Sequence, residues 1–206
     1  MNNRDYKNFS TGSIFHIYNR GNNKEPIFYD ESDYRAFLLR LGLVLGIEEE
    51  VLKQHPLTRA PYSRIRLTAE KNLFKVYTFC LMPNHFHLLL EQCDDTPIST
   101  LMLKVCTSFA KYINKKYQRV GHIFQDQFKS VLIESDSQLM WTSSYIHMNP
   151  VNANLCKKPE DYPWSSYHEF LDKKEPLLTD TKFMLDIFGN VENFEQQTIL
   201  LNSEKQ

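Results

Sequence analysis

The order of predicted elements along the chain indicates an α+β protein whose strands form an antiparallel sheet. Three observations support this prediction. Short stretches of alternating β-forming residues predict four strands, and apolar residues at helical spacing predict helices between them. A Met82-Pro83-Asn84 turn joins two of these strands directly, and such a short connection requires antiparallel neighbours.

The first half of the chain supplies one strand and one helix. Residues 13–18 alternate and are rich in β-formers, so they predict the first strand. The stretch 30–33 is typical of a helix start, and the apolar residues from 34 to 45 follow at helical spacing. Residues 47–72 are polar and contain two prolines, which predicts an insertion loop.

The middle of the chain supplies a hairpin, a helix and a fourth strand. Residues 74–81 and 85–91 flank the turn and predict its two strands. Residues 98–117 carry apolar side chains at helical spacing, and residues 129–133 predict the last strand. The order βαββαβ predicts a ferredoxin-like sandwich, in which helices cover one face of an antiparallel sheet.

A further helix is predicted after this unit. Ser135 with Gln138 resembles a capping box that opens the helix, and Pro150 is expected to stop it. We therefore expect one domain over residues 1–172, with the added helix inside it. Residues 173–206 form a weakly helical C-terminal tail in this interpretation.

Composition excludes some classes of protein. The N-terminal residues lack the apolar core of a signal peptide, and the apolar runs are too short to span a bilayer. We therefore expect a cytoplasmic protein with no membrane partner. The four cysteines form no Cys-x-x-Cys pair, which argues against a cysteine-based zinc site.

Charge is balanced overall but uneven along the chain. The 24 basic and 25 acidic residues give a net charge of -1, which argues against coating of nucleic acid through bulk charge. Residues 104–129, however, contain six basic residues and one acid, Asp126. A local basic face and an ordinary solvated helix surface both remain compatible with this stretch.

Two histidines are spaced for joint action. His85 and His87 lie two residues apart on a predicted strand, so their imidazoles project to the same face. Such a pair can supply two nitrogen ligands to a metal ion. Two partly exposed histidines without a metal are the alternative for this pair taken alone.

Tyr145 and Asn149 could complete the same site. They lie four residues apart on the last predicted helix, so they share one face of it. A carboxamide oxygen is a suitable ligand for a hard divalent ion. A tyrosine beside such an ion could attack a phosphodiester, because the metal withdraws charge from the phosphate. A core aromatic residue is the alternative for Tyr145 alone.

Several motifs in this order resemble one family. The chain is similar to the single-tyrosine HUH transposases and, within them, to the REP-associated tyrosine transposases of bacteria. The matching stretches are Met82-Pro83-Asn84-His85-Phe86-His87-Leu88-Leu89, residues 121–130, Tyr145-Ile146-His147-Met148-Asn149-Pro150-Val151 and the aromatic segment 162–167. Together they span about residues 10–170.

The resemblance implies an activity and its site residues. It implies that His85, His87 and Asn149 hold a divalent metal, Mg²⁺ or Mn²⁺, and that Tyr145 is the nucleophile. The substrate it implies is single-stranded DNA beside palindromic hairpins, cleaved and rejoined through a 5′-phosphotyrosine. Tyr112 and Tyr117 are rival nucleophiles on the preceding helix.

The partners and the alternatives are broader. DNA phosphates are expected to contact basic side chains: Arg20, Lys111, Lys115, Arg119 and Lys129. A monomer and a homodimer both remain compatible with the sequence. So do two other functions on the same fold, a domesticated non-catalytic DNA-binding regulator and a metal-dependent hydrolase that uses water.

Overall fold

A computed structural model of the chain describes residues 10–60, 71–171 and 176–203. Within these ranges four strands form an antiparallel sheet in the order β2-β3-β1-β4. The strands are β1 (Ile14–Arg20), β2 (Phe74–Met82), β3 (His85–Gln92) and β4 (Lys129–Ile133). This sheet, with the helices described below, confirms the predicted ferredoxin-like fold.

The two faces of the sheet have different characters. Alternate residues of β3 on one face are apolar and fully buried: Phe86, Leu88 and Leu90. His85 and His87 project from the other face. The register of β3 with β1 places Arg20 opposite His85 and Tyr18 opposite His87, so these four side chains share that second face.

Two helices cover the apolar face. They are α1 (Glu31–Val44) and α3 (Ile98–Lys116). The ring of Phe37 on α1 lies 4.9 Å from that of Phe86 and 5.2 Å from that of Phe109 on α3. These contacts join both helices to the sheet through one aromatic cluster, which is the centre of the core.

The start of α1 is fixed by two aspartates. The Asp30 carboxylate accepts hydrogen bonds from the backbone N–H groups of Ser32 and Asp33, and Asp33 returns the contact in a capping box. The Lys116 ammonium at the end of α3 lies 2.7 Å from both carboxylates. The predicted helix start is therefore confirmed, and it also ties α1 to α3.

The prediction of an insertion loop over residues 47–72 is wrong for its first part. A short helix, α2 (Glu49–Gln54), lies there and packs against α1. Leu52 is fully buried and Leu57 is 7% exposed, so two apolar residues dock a segment that is polar on average. Residues 61–70 of the expected loop lie outside the described residues.

The face of the sheet that carries His85 and His87, the histidine face, is partly covered by α4 (Asp136–Asn152). This helix lies over β2 and β3. The Ser135 side chain accepts from the Gln138 N–H and caps the helix. The Gln138 side-chain oxygen accepts from the Glu134 N–H rather than from that of Ser135, so the predicted capping box forms only in its Ser135 half. Pro150 does not stop the helix, which continues to Asn152. A proline this close to a C-terminus removes one N–H donor, and the last turn closes through the Ala153 N–H to the Asn149 carbonyl at 3.0 Å.

The aromatic segment 162–167 runs along the outer edge of β2. The Leu81 N–H donates to the Trp164 carbonyl at 2.9 Å, and the Ser166 N–H donates to the Phe79 carbonyl at 3.0 Å. The Tyr162 hydroxyl donates to the Leu81 carbonyl at 2.7 Å. This segment therefore extends the hydrogen bonding of the sheet beyond its four strands.

Three helices follow: α5 (Tyr167–Phe170), α6 (Thr181–Phe188) and α7 (Val191–Ser203). α7 packs on α4, and its Phe194 is fully buried there. The C-terminal residues thus support the helix that carries Tyr145. Among the described helices, none combines the length and the apolarity that crossing a bilayer requires.

Candidate active site

His85 and His87 lie at the start of β3, directly after the hairpin turn. Their ring centroids are 5.0 Å apart and their planes are nearly perpendicular. His85 Nδ1 lies 2.6 Å from the Asn84 side-chain oxygen, a distance at which the imidazole N–H donates and leaves Nε2 with its lone pair. The turn therefore orients one of the two imidazoles toward a ligand.

A third histidine, His16, joins this pair from β1. Its Nε2 lies 2.9 Å from His87 Nδ1, and the two rings are stacked at 5.1 Å. The sequence alone assigns no role to His16. The alternation of His16 with Tyr18 and Arg20 along one strand indicates that the three side chains share a face. Only the register of β1 on β3 shows that this face is also that of His87.

All three imidazoles are held in the neutral form at neutral pH. Burial lowers the pKa of His16 to about 4. Burial, and then the positive charge of Arg20, lower the pKa of His85 to about 4. The pKa of His87 is well below its usual value because that residue is only 5% exposed. Neutral imidazole is the form that binds a metal ion.

Tyr145 on α4 contacts the histidines. Its ring lies 5.7 Å from the His87 ring and 6.2 Å from the His16 ring, edge-on in both cases. The indole of Trp141, one turn earlier, stacks parallel to the phenol at 5.4 Å. Trp141 is 38% exposed and Tyr145 is half-buried, so this stack lies at the border between α4 and the open part of the sheet.

The rival tyrosines lie on the other side of the sheet, because α3 covers the apolar face. The Tyr112 hydroxyl is 3.3 Å from the Ser32 hydroxyl, and the Tyr117 hydroxyl donates to the Asp33 carboxylate at 2.8 Å. Both therefore serve the junction between α1 and α3. Neither shares a face with the histidines.

Asn149 follows Tyr145 by one helical turn on the same stripe of α4. Its amide nitrogen donates to the Tyr145 carbonyl at 2.8 Å, so its amide oxygen is the atom available to a cation. Over the described ranges, no group of three or more histidine, cysteine or acidic side chains is placed to hold a metal ion. Two imidazole nitrogens and one amide oxygen nevertheless fit a divalent ion whose remaining positions are filled by water or phosphate.

The predicted DNA-contacting residues divide between the two faces. Arg20 pairs with His85 across the strands, and the Lys129 ammonium lies 6.0 Å from the ring centroid of Tyr18, so both are on the histidine face. Lys111 and Lys115 are exposed on α3, on the outer side of the opposite layer. The fifth residue, Arg119, contacts Glu25 at 3.4 Å and also the Tyr29 hydroxyl.

The basic stretch 104–129 is therefore not one continuous face. Lys116 and Arg119 are committed to acidic partners near the start of α1, whereas Lys129 borders the histidines. Val131, which follows on the same side of β4, is 44% exposed. The open part of the histidine face, over β1 and β4, is thus a basic and partly apolar surface beside Tyr145.

The chain is similar in sequence to known transposases. A family model described as "Transposase IS200 like" matches residues 39–149, more than half of the chain. A Haemophilus influenzae protein, provisionally named as a REP-associated tyrosine transposase, is 30% identical over 118 residues, which cover 52% of this chain and 66% of that protein.

A solved structure shows the same fold. It is that of a REP-associated tyrosine transposase bound to a REP hairpin, and it aligns with a TM-score of 0.55 at 18% sequence identity. The alignment covers 83% of this chain and 87% of the solved one. The family match includes His85, His87, Tyr145 and Asn149 and ends at the last of them.

Proposed function

Because the chain belongs to the IS200-like transposase family, we propose that it cleaves and rejoins single-stranded DNA near hairpins through a 5′-phosphotyrosine intermediate. The observation that carries the proposal is the contact between Tyr145 and His87, which brings a candidate nucleophile to a pair of candidate metal ligands. His85 lies beside His87 on the same strand, and Asn149 follows Tyr145 by one turn of α4.

Tyr145 is the proposed nucleophile. Its phenol oxygen attacks the phosphorus, the bond from phosphorus to the 3′ oxygen breaks, and the 5′ phosphate becomes esterified to the tyrosine. The phenolic proton is lost to water, and the departing 3′ oxygen takes up a proton. The reverse attack, by a 3′ hydroxyl on the phosphotyrosine, reseals the strand without a nucleotide cofactor because the ester energy is retained.

The nitrogen lone pairs of His85 and His87 and the amide oxygen of Asn149 would hold Mg²⁺ or Mn²⁺. When bound, the metal would withdraw charge from the phosphate and position the scissile bond. A phenol needs this help because it is a weak nucleophile at neutral pH. Burial keeps the imidazoles neutral and ready to bind. Trp141 stacks on Tyr145 and restrains the direction in which the phenol oxygen points.

Arg20 and Lys129 are the proposed phosphate contacts at the reacting centre. Both carry a positive charge on the histidine face, beside the exposed part of β1 and β4. Phosphate contacts of this kind position a strand without reading its sequence. Lys111 and Lys115 would contact DNA only if the hairpin also reached around to the outer side of α3.

The test is a covalent-adduct assay. The protein is incubated with end-labelled single-stranded DNA that contains a REP-type palindromic hairpin, in Mn²⁺ or Mg²⁺, and resolved on a denaturing gel. We expect a protein-DNA adduct that is absent in Tyr145→Phe and present in the matched controls Tyr112→Phe and Tyr117→Phe. His85→Ala should also lose it while still binding the hairpin.

Other outcomes identify the alternatives. Hairpin binding with no cleavage by the wild-type protein would indicate a non-catalytic regulator on this fold. Cleavage with no adduct would indicate a hydrolase that uses water. An adduct that survives in Tyr145→Phe and disappears in Tyr112→Phe would show that the nucleophile is assigned wrongly.

A further inference from the structure

His16 contacts His87 but takes no part in the proposed chemistry. We propose that His16 is a positioning residue, which accepts a hydrogen bond from His87 Nδ1 and so keeps His87 Nε2 available as a metal ligand. The inference rests on the proposed function, because it gives His16 a task only if His85 and His87 bind a divalent cation.

The hydrogen bond between the two rings has two possible directions. His16 Nε2 and His87 Nδ1 are 2.9 Å apart, a hydrogen-bond distance, so one of these nitrogens donates an N–H and the other accepts it. A neutral imidazole carries one N–H, so a single proton lies between these two nitrogens. Either His16 donates it and His87 carries its own proton on Nε2, or His87 donates it and Nε2 keeps a lone pair.

Only the second direction suits a metal site. A protonated Nε2 cannot bind a cation, whereas the lone pair of the other tautomer can. Metal-ligating histidines generally donate their second ring N–H to an acceptor, which fixes both the tautomer and the ring plane. The side-chain oxygen of Asn84 is placed to do this for His85, and His16 is the corresponding acceptor for His87.

The surroundings of His16 hold it in place for this role. Its ring packs against Tyr18 on the same strand at 5.2 Å and against the edge of Tyr145 at 6.2 Å. It stacks on His87 itself at 5.1 Å. A ring fixed by three neighbours cannot turn away readily, so it presents Nε2 to His87 throughout.

The first measurement is Mn²⁺ affinity of the DNA-free, full-length protein by titration calorimetry. His16→Phe keeps the ring packing but removes the acceptor, and we expect it to weaken Mn²⁺ binding by roughly 10- to 100-fold. His16→Gln places an amide oxygen near the position of Nε2 and is expected to restore affinity to within about 3-fold of wild type. Thermal melting of the metal-free variants verifies that each one is folded.

The second measurement reads the tautomer directly. The ¹⁵N shifts of the imidazoles in the Mg²⁺-loaded protein should show His87 protonated at Nδ1 and bound through Nε2. Equal Mn²⁺ affinity in wild type and His16→Phe would overturn the inference while leaving the metal site intact. A pulsed-EPR signal from three imidazoles on bound Mn²⁺ would overturn it too, since His16 would then be a ligand itself.

Failure of the proposed function gives a different result. If the wild-type protein binds neither Mn²⁺ nor Mg²⁺, the metal site itself is wrong, and the role of His16 falls with it. If the wild type binds metal and only His16→Phe loses affinity, the positioning role stands even where the adduct assay finds no cleavage.

Discussion

Acidification is expected to destabilise this protein through His147, a residue on α4 that takes no part in the proposed chemistry. His147 is fully buried, with Nε2 at 2.9 Å from the Ser166 hydroxyl. The rings of Tyr167, Phe170 and Phe194 surround it at 5.1 to 5.5 Å. Within the described part of the chain its Nδ1 has no hydrogen-bond partner, so an N–H formed there by protonation would lack an acceptor.

The magnitude follows from the pKa of this group. Burial lowers the pKa of His147 from 6.5 to about 3. Between pH 6.5 and about pH 3, His147 is therefore protonated in the unfolded chain but neutral in the native protein. The free energy of unfolding consequently falls as the pH falls through this range. Between pH 7 and pH 5 the loss from this residue is about 2 kcal/mol, and it approaches about 1.4 kcal/mol per further pH unit.

The assay compares wild type with His147→Leu, which fills a similar volume and cannot be protonated. Urea unfolding at pH 7, 6 and 5, at constant ionic strength, gives the free energy of unfolding of each protein. His16, His85 and His87 titrate in both, so the difference between the two pH profiles isolates His147. Parallel profiles, with a difference below about 0.5 kcal/mol, would refute the reasoning, because His147 would then accept a proton in the native state.

Three further predictions concern the site and its support. Trp141→Ala should slow formation of the adduct on Tyr145 by roughly 3- to 10-fold in a gel time course, with Trp141→Phe close to wild type, because the parallel ring stack is lost. Lys129→Gln should weaken hairpin binding and reduce the slope of log affinity against log salt concentration by about 1. Lys111→Gln, the matched control, should leave the affinity and the slope unchanged. Equal effects of the two substitutions would show that the DNA does not bind on the histidine face. Asp33→Ala should lower the free energy of unfolding by about 2 kcal/mol or more in urea, since its fully buried carboxylate accepts from the Lys116 ammonium at 2.7 Å; a loss under about 0.5 kcal/mol would contradict this.

The elements of the sheet were predictable because strand alternation is a local property. The spacing of His85 and His87 on a strand placed both on one face, and the structure confirms that they share it. The four-residue spacing of Tyr145 and Asn149 likewise placed them on one stripe of a helix. Their roles as nucleophile and metal ligands remain predictions.

The rest depended on long-range geometry that the sequence does not display. His16 is 71 residues from His87, and only strand register brings the two together. The basic stretch appeared continuous because charge along a chain does not say which partners lie across a core. Leu52 shows the same limit, since one buried leucine docks a helix in a segment that polarity alone describes as a loop.

The aromatic segment 162–167, one of the stretches that resemble the transposase family, occupies the outer edge of β2. Exposed strand edges are templates on which other chains can add, and proteins cover them to prevent this. A chain cut before residue 162 would therefore also lose the cover of the β2 edge. The backbone groups of Phe79 and Leu81 would then become available for hydrogen bonding to other molecules. We expect such a truncated protein to be recovered as β-rich aggregate, so residues after 161 are a requirement for solubility as well as for the position of Tyr145.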